Sequence, residues 1–194
     1  TKEFISKISS LPKVCDHFHI SLQSGCDETL KRMNRHYTIE QFKEIVKKIK
    51  QKFQNPCIST DIIVGFKGET NEEFENTVNN LKEIEFSFMH IFPYSERSGT
   101  AAEKLGGAVD KCVIKQREKQ LQMLNIEFKS KFYAQNKNTK QNVLIELVEV
   151  GYSLGYTDNY IYTYIQGEIP VGKVVAVTLT EPYQEGMKAK VKGE

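Results

Sequence analysis

Three short apolar runs with strand character, at residues 17–22, 58–64 and 86–92, are separated by single amphipathic stretches. That alternation constrains the fold more than any other feature of the chain. Between the first two runs, Phe42, Ile45, Val46, Ile49 and Phe53 recur at helical spacing, opened by Thr38 and Gln41 in a capping-box arrangement. Between the second and third, Thr70 and Glu73 repeat the start signal, and Phe74, Val78, Leu81 and Ile84 continue one face. Strands joined by single helices imply parallel pairing with right-handed crossovers. Three are too few to close an eight-stranded barrel, so the expected fold is α/β, a partial (β/α) barrel.

A loop rich in Gly, Ser and Ala follows at 93–109, and then a long helix is predicted from near 110 to about 133. Val113, Leu121, Leu124 and Phe128 give it a buried side. Six Lys or Arg against two Glu between 111 and 131 make the exposed side basic. Beyond Tyr133 the pattern changes to short alternating runs at 143–147, 160–165 and 174–179, divided by Gly or Pro turns. This predicts a small all-β barrel, with domains at 1–132 and 133–194, the second needing to dock on the first for stability.

The net charge of +2 neither marks nor excludes a nucleic-acid partner. Cys15, Cys26, Cys57 and Cys112 have no short metal-binding spacing and suit reduced thiols in a cytoplasmic protein. No apolar stretch approaches the roughly 20 residues needed to cross a bilayer, so no membrane partner is expected. The start at Thr1, without a signal-peptide pattern, reads as the middle of a running α/β repeat.

In parallel α/β folds, ligands bind where the loops converge at the C-terminal ends of the strands. Here those loops begin at Gln23, Gly65 and Pro93. Gly65 and Gly68 serve either a close ligand approach or a tight turn ahead of the Thr70 cap. His17 and His19 lie two apart and share a strand face, as in the metal pair of a barrel hydrolase, but nothing in the spacing places an Asp or Cys partner beside them. Packing is the simpler use of both.

Three ordered stretches carry a resemblance: residues 19–27 with 30–38, residues 60–70, and residues 92–102. They are similar to signature motifs of the MiaB-like radical SAM methylthiotransferases. The segment 155–161 resembles the core of a TRAM domain, the small RNA-holding barrel of those enzymes. The family pattern ordinarily carries proline where Lys67, Glu96 and Ser98 stand, which implies looser loops here.

The resemblance implies a transferase that adds a methylthio group to a modified adenosine next to the tRNA anticodon. S-adenosylmethionine and two [4Fe-4S] clusters would be its cofactors, with cluster ligands outside this chain. On its own the chain would then be an inactive, RNA-binding part. The wording of the first and last motifs resembles the threonylcarbamoyladenosine branch, against branches acting on isopentenyl-type adenosine or on a ribosomal-protein aspartate. The residues implied for S-adenosylmethionine are Gln23, Arg35 and Arg32, the last two for its carboxylate, with Val64, Gly65, Phe92 and Tyr94 around the adenine. Asp61 is a candidate catalytic carboxylate if it faces inward. For the anticodon stem-loop the candidates are Lys115 and Lys119 on the basic helix, with Tyr156, Asn159 and Tyr160 in the β-module. That module holds seven of the nine tyrosines, and aromatic filling of a small barrel would also account for them.

Overall fold

Both capping boxes form, and they fix where the crossover helices begin. A computed structural model describes residues 2–191. Thr38 accepts from the Gln41 N–H to open α3 (Ile39–Lys52), and Thr70 accepts from the Glu73 N–H to open α4 (Asn71–Ile84). In each, the third-position side chain bonds back to the cap's own N–H. Thr70→Ala should therefore cost about 1 kcal/mol in urea unfolding.

Those helices connect three parallel strands, β1 (His17–His19), β2 (Cys57–Val64) and β3 (Phe88–Pro93), in the order β1-β2-β3. Two shorter helices, α1 (Lys2–Ile8) and α2 (Asp27–Arg32), flank β1. The first apolar run gives only three strand residues, because the chain leaves the sheet after His19. It returns at Gln23, which bridges Ile62 with φ of 71°.

Strand alternation sorts the sheet into two faces. Ile58, Ile62, Val64 and Met89 turn to the helices, where they join Leu22, Phe42, Val46, Leu81 and Phe86 in a core completed by Leu121, Leu124 and Phe128. The opposite parity presents His17 and His19 from β1, Ser59, Asp61 and Ile63 from β2, and Phe88, His90 and Phe92 from β3.

The long helix, α5 (Lys111–Asn136), is capped by Asp110 and continues three residues beyond the change of pattern at Tyr133. Arg117, counted above among its basic residues, is not on the exposed side. It is buried in an ion pair with Glu69 at 2.7 Å. Its other nitrogen donates to Asn71.

The rest of the chain closes a five-stranded barrel, β4 (Lys140–Glu149), β5 (Tyr152–Thr157), β6 (Tyr162–Gln166), β7 (Val174–Tyr183) and β8 (Gly186–Val191), in the order β4-β5-β6-β8-β7. Gly155 permits the close approach of β4: a Cβ there would lie 1.8 Å from the Leu144 carbonyl oxygen. The barrel core of Val143, Ile145, Ile161, Ile165, Val177, Leu179 and Met187 is continuous with Phe132 of α5 and Cys57 at the start of β2. The small barrel thus gains the packing its size demands by docking under the sheet.

Candidate functional site

The face of the sheet that turns away from the helices carries three environments in succession. At the strands' N-terminal end, Cys57 and Phe88 pack on the barrel. At the C-terminal end a cavity of about 670 Å³ opens, lined by Gln23, Arg35, Asp61, Ile63, Phe92, Tyr94, Arg97 and neighbouring residues of the 93–102 loop. Between them stands a polar group, His19, Asp61 and His90.

The cavity has an apolar wall of Ile63, Phe92 and Pro93 and two exposed guanidinium groups, Arg35 and Arg97. Gln23 is held rigidly: its N–H donates to the Asp61 carbonyl at 2.8 Å and its carbonyl accepts from the Ile63 N–H at 2.9 Å. Tyr94 is anchored by donating its N–H to the Val64 carbonyl, and its ring meets Phe66 edge-on. The Tyr94 hydroxyl is buried without a hydrogen-bond partner among the described residues.

Asp61 does face this open side, which settles its direction by strand register. It accepts from the Ser21 hydroxyl at 2.8 Å and pairs with His19 Nε2 at 3.0 Å. Burial alone would raise its carboxyl, but the Ser21 and His19 bonds outweigh burial and hold it below the usual carboxylate range. The partner that sequence spacing did not place beside His19 is therefore Asp61, brought across by the parallel pairing.

His17 does not join His19 in a metal pair. Its ring stacks on Tyr160 at 4.1 Å, and burial, with His19 and His90 nearby, lowers its basicity.

Other sequence candidates fall elsewhere. Arg32 is outside the cavity lining. Its guanidinium is bound by Glu73 at 2.6 and 2.8 Å, with Nε donating to the Lys67 carbonyl. Val64 faces the helices and is fully buried, and Gly65 turns beneath α5, where a Cβ would strike Ile114 at 2.4 Å. Neither lines the cavity. Asn159 is also an interior residue, 1 % exposed. It donates to Asn136 and to the Asn55 carbonyl, and accepts from Thr157, so it ties the barrel to α5 and the sheet rather than reaching solvent.

The departures at Lys67 and Glu96 do not loosen their loops. Lys67 Nζ meets the Glu96 carboxylate at 2.8 Å and also donates to the Glu103 carbonyl, linking the second and third loops directly.

Lys115 and Lys119 are exposed on α5. Tyr156 and Tyr160 do come together, stacked at 4.5 Å, and they extend a run of rings across both domains. Phe92, His90 and Phe88 follow one another up β3, Phe88 stacks toward Tyr160 at 6.2 Å, and Tyr156 leads through Tyr162 and Tyr164 to Tyr183. A cleft of about 430 Å³ follows this run where sheet and barrel meet.

Sequence reading missed His90, Arg97 and the track as a whole. The parity of β3 held the signal for His90, since Phe88, His90 and Phe92 alternate. The track depends on the docking angle of two domains, which no local pattern encodes.

A model of the radical SAM superfamily matches residues 1–81. The chain is 37 % identical over 98 % of its length to the threonylcarbamoyladenosine tRNA methylthiotransferase MtaB of Bacillus subtilis, and 39 % identical over 92 % to that of Aquifex aeolicus. It is 33 % identical, over 98 %, to a tRNA-2-methylthio-N(6)-dimethylallyladenosine synthase of Thermodesulfovibrio yellowstonii. It spans 44 %, 42 % and 44 % of the three relatives, less than half of each. Among solved structures it resembles coproporphyrinogen III oxidase of Escherichia coli, a radical SAM enzyme, with a TM-score of 0.54 at 15 % identity, covering 92 % of this chain and 41 % of that one. That likeness is one of fold.

Proposed function

The chain belongs to the radical SAM methylthiotransferase family, and on that premise we propose that it supplies the cofactor-positioning and RNA-holding part of an enzyme that methylthiolates a modified adenosine beside the tRNA anticodon. One observation carries this reading: a cavity suited to a cofactor and a track suited to unpaired bases lie on the same sheet face and meet at His90 and Phe92.

The cavity residues fit S-adenosylmethionine. Arg35 can take its carboxylate, Phe92 and Ile63 can cover its adenine, and Gln23 can bond its polar edges. When bound, that cofactor supplies radical generation and a methyl group. The residues of this chain bind and orient, and the apolar wall limits water around the reacting groups. They do not fit an iron–sulfur cluster: among the described residues no three cysteines converge, and the single grouping with metal-binding spacing contains none.

For the modified base, Arg97, the guanidinium left on the cavity wall once Arg35 takes the cofactor's carboxylate, suits the carboxylate of a threonylcarbamoyl substituent better than an apolar isopentenyl group. The relatives of 37–39 % identity with that specificity, against 33–35 % for the dimethylallyl enzymes, point the same way. A tRNA substrate would have the protein act in the cytoplasm.

The test is binding of an anticodon stem-loop across a salt series. Lys115→Ala with Lys119→Ala should reduce the slope of log affinity against log salt by roughly 1 to 2 if each lysine meets one phosphate. A slope identical to that of the parent chain would take α5 out of the RNA interface, and absence of binding at low salt would remove the tRNA reading.

A further inference from the structure

We propose that His19, Asp61 and His90 form a binding site for a divalent transition metal of the zinc class, with its open coordination position facing the passage between the cavity and the aromatic track.

One ligand comes from each of three adjacent parallel strands. Asp61 and His90 are direct partners in the β2–β3 register, and His19 stands across β1–β2 with its ring turned toward Asp61. The three ligand atoms lie within 4.8 Å of one another. His19 Nε2 and Asp61 Oδ2, 3.0 Å apart, are near the roughly 3.3 Å edge of a tetrahedron whose metal–ligand bonds are about 2.0–2.1 Å. His90 offers its ligand atom within the same 4.8 Å from a backbone that the sheet holds opposite Asp61.

Two imidazoles and one carboxylate suit zinc and its borderline neighbours, whereas magnesium and calcium want oxygen ligands. The outer groups are also in place. His19 Nδ1 lies 3.1 Å from the Ser59 hydroxyl, which fixes the ring and leaves Nε2 for a metal, while the Ser21 hydroxyl orients the carboxylate. The His19 and Asp61 side chains keep 38 % and 26 % of their surface open to solvent, so three protein ligands leave a fourth position for water or a ligand atom. His17, on the same strand and face, stacks on Tyr160 and offers the group no ligand atom, meeting it only through the Ser59 hydroxyl at 3.3 Å, which makes it an internal control for ligation. The inference stands whether or not the transferase reading does.

The experiment is titration of the metal-stripped chain with zinc by calorimetry, and with cobalt followed by visible absorption. Cys15 and Cys112 are exposed thiols that would compete, so both are changed to serine throughout. One equivalent should bind. His19→Ala and His90→Ala should each weaken binding by more than about 100-fold, Ser59→Ala by roughly 10-fold, and His17→Ala should leave it unchanged. Zinc should raise the melting temperature of the parent and not of the His19 or His90 variants, and His90→Gln replaces any alanine variant that loses its circular dichroism. No stoichiometric uptake, or uptake that survives loss of either histidine, would show the group to be a hydrogen-bond network and overturn the proposal.

Discussion

Replacing Arg117 with methionine should destabilise the chain by roughly 3–5 kcal/mol at neutral pH, the cost typical of leaving one member of a buried ion pair alone. Arg117 and Glu69 are both nearly inaccessible, 2.7 Å apart, and the guanidinium also sits 5.1 Å above the Phe74 ring. Glu69 in turn accepts the Gly65 N–H at 2.8 Å, so the pair fastens the turn after β2 to α5. Burial raises the Glu69 carboxyl above its ordinary value even though the Gly65 N–H and Arg117 pull it down. An acid whose folded value is raised binds its proton more tightly in the native state, so stability falls as pH rises from the unfolded value through the folded one. Without Arg117 that window extends upward. The deficit of the variant should therefore be smaller at pH 5 than at pH 7, and adding Glu69→Gln, which still accepts from Gly65, should recover much of it. Urea unfolding of the parent, single and double variants at both pH values measures this. A deficit below about 1 kcal/mol, or one that does not change with pH, would mean that water reaches Glu69.

Much of this architecture was legible because it is local. Thr38 with Gln41 and Thr70 with Glu73 marked the helix starts, and the 3.6-residue spacing of Phe42, Val46 and Ile49 gave the buried face. The candidate site was legible to the depth of one strand. Gln23, Arg35, Phe92 and Tyr94 were singled out because strand C-termini are where loops converge, and the structure brings them to one cavity. Arg32 and Asn159 went astray for one reason: each is a polar side chain in a motif, and each is consumed by a partner more than twenty residues away, Glu73 for one and Asn136 for the other. Arg117 shows the same blindness inside a helix, since its exposure depends on which carboxylate the turn at Gly65 delivers beneath α5. Sequence pattern encodes which residues share an element, whereas the pairing of charges between elements follows from topology.

Removing the rings of Tyr156 and Tyr160 should cost the chain most of its affinity for single-stranded RNA while leaving its salt dependence intact. Base stacking on an aromatic is worth about 1–3 kcal/mol per base, and since Tyr160 is covered by His17 on one face and by Tyr156 on the other, one base on the outer face of Tyr156 predicts a loss of about 5-fold or more. Tyr160 is the informative member. Its backbone lies at φ of 63°, a region that costs a bulky side chain of order 1–3 kcal/mol, yet 43 % of its surface is exposed. The strain is maintained by the turn from Thr157, whose carbonyl accepts the Tyr160 N–H, and by stacking between His17 and Tyr156. Tyr160→Asn separates the two uses, because asparagine tolerates the left-handed backbone without presenting a ring. That variant should bind a tRNA anticodon stem-loop several-fold more weakly, because Tyr156 loses the ring that backs the face opposite its stacked base. The slope of its affinity against salt should be unchanged, since no phosphate contact is lost, in contrast to the lysine variants of α5. If Tyr160→Asn instead lowers the melting temperature and leaves RNA affinity where it was, the rings are the joint between sheet and barrel, and the route from the barrel to the cavity must be sought elsewhere.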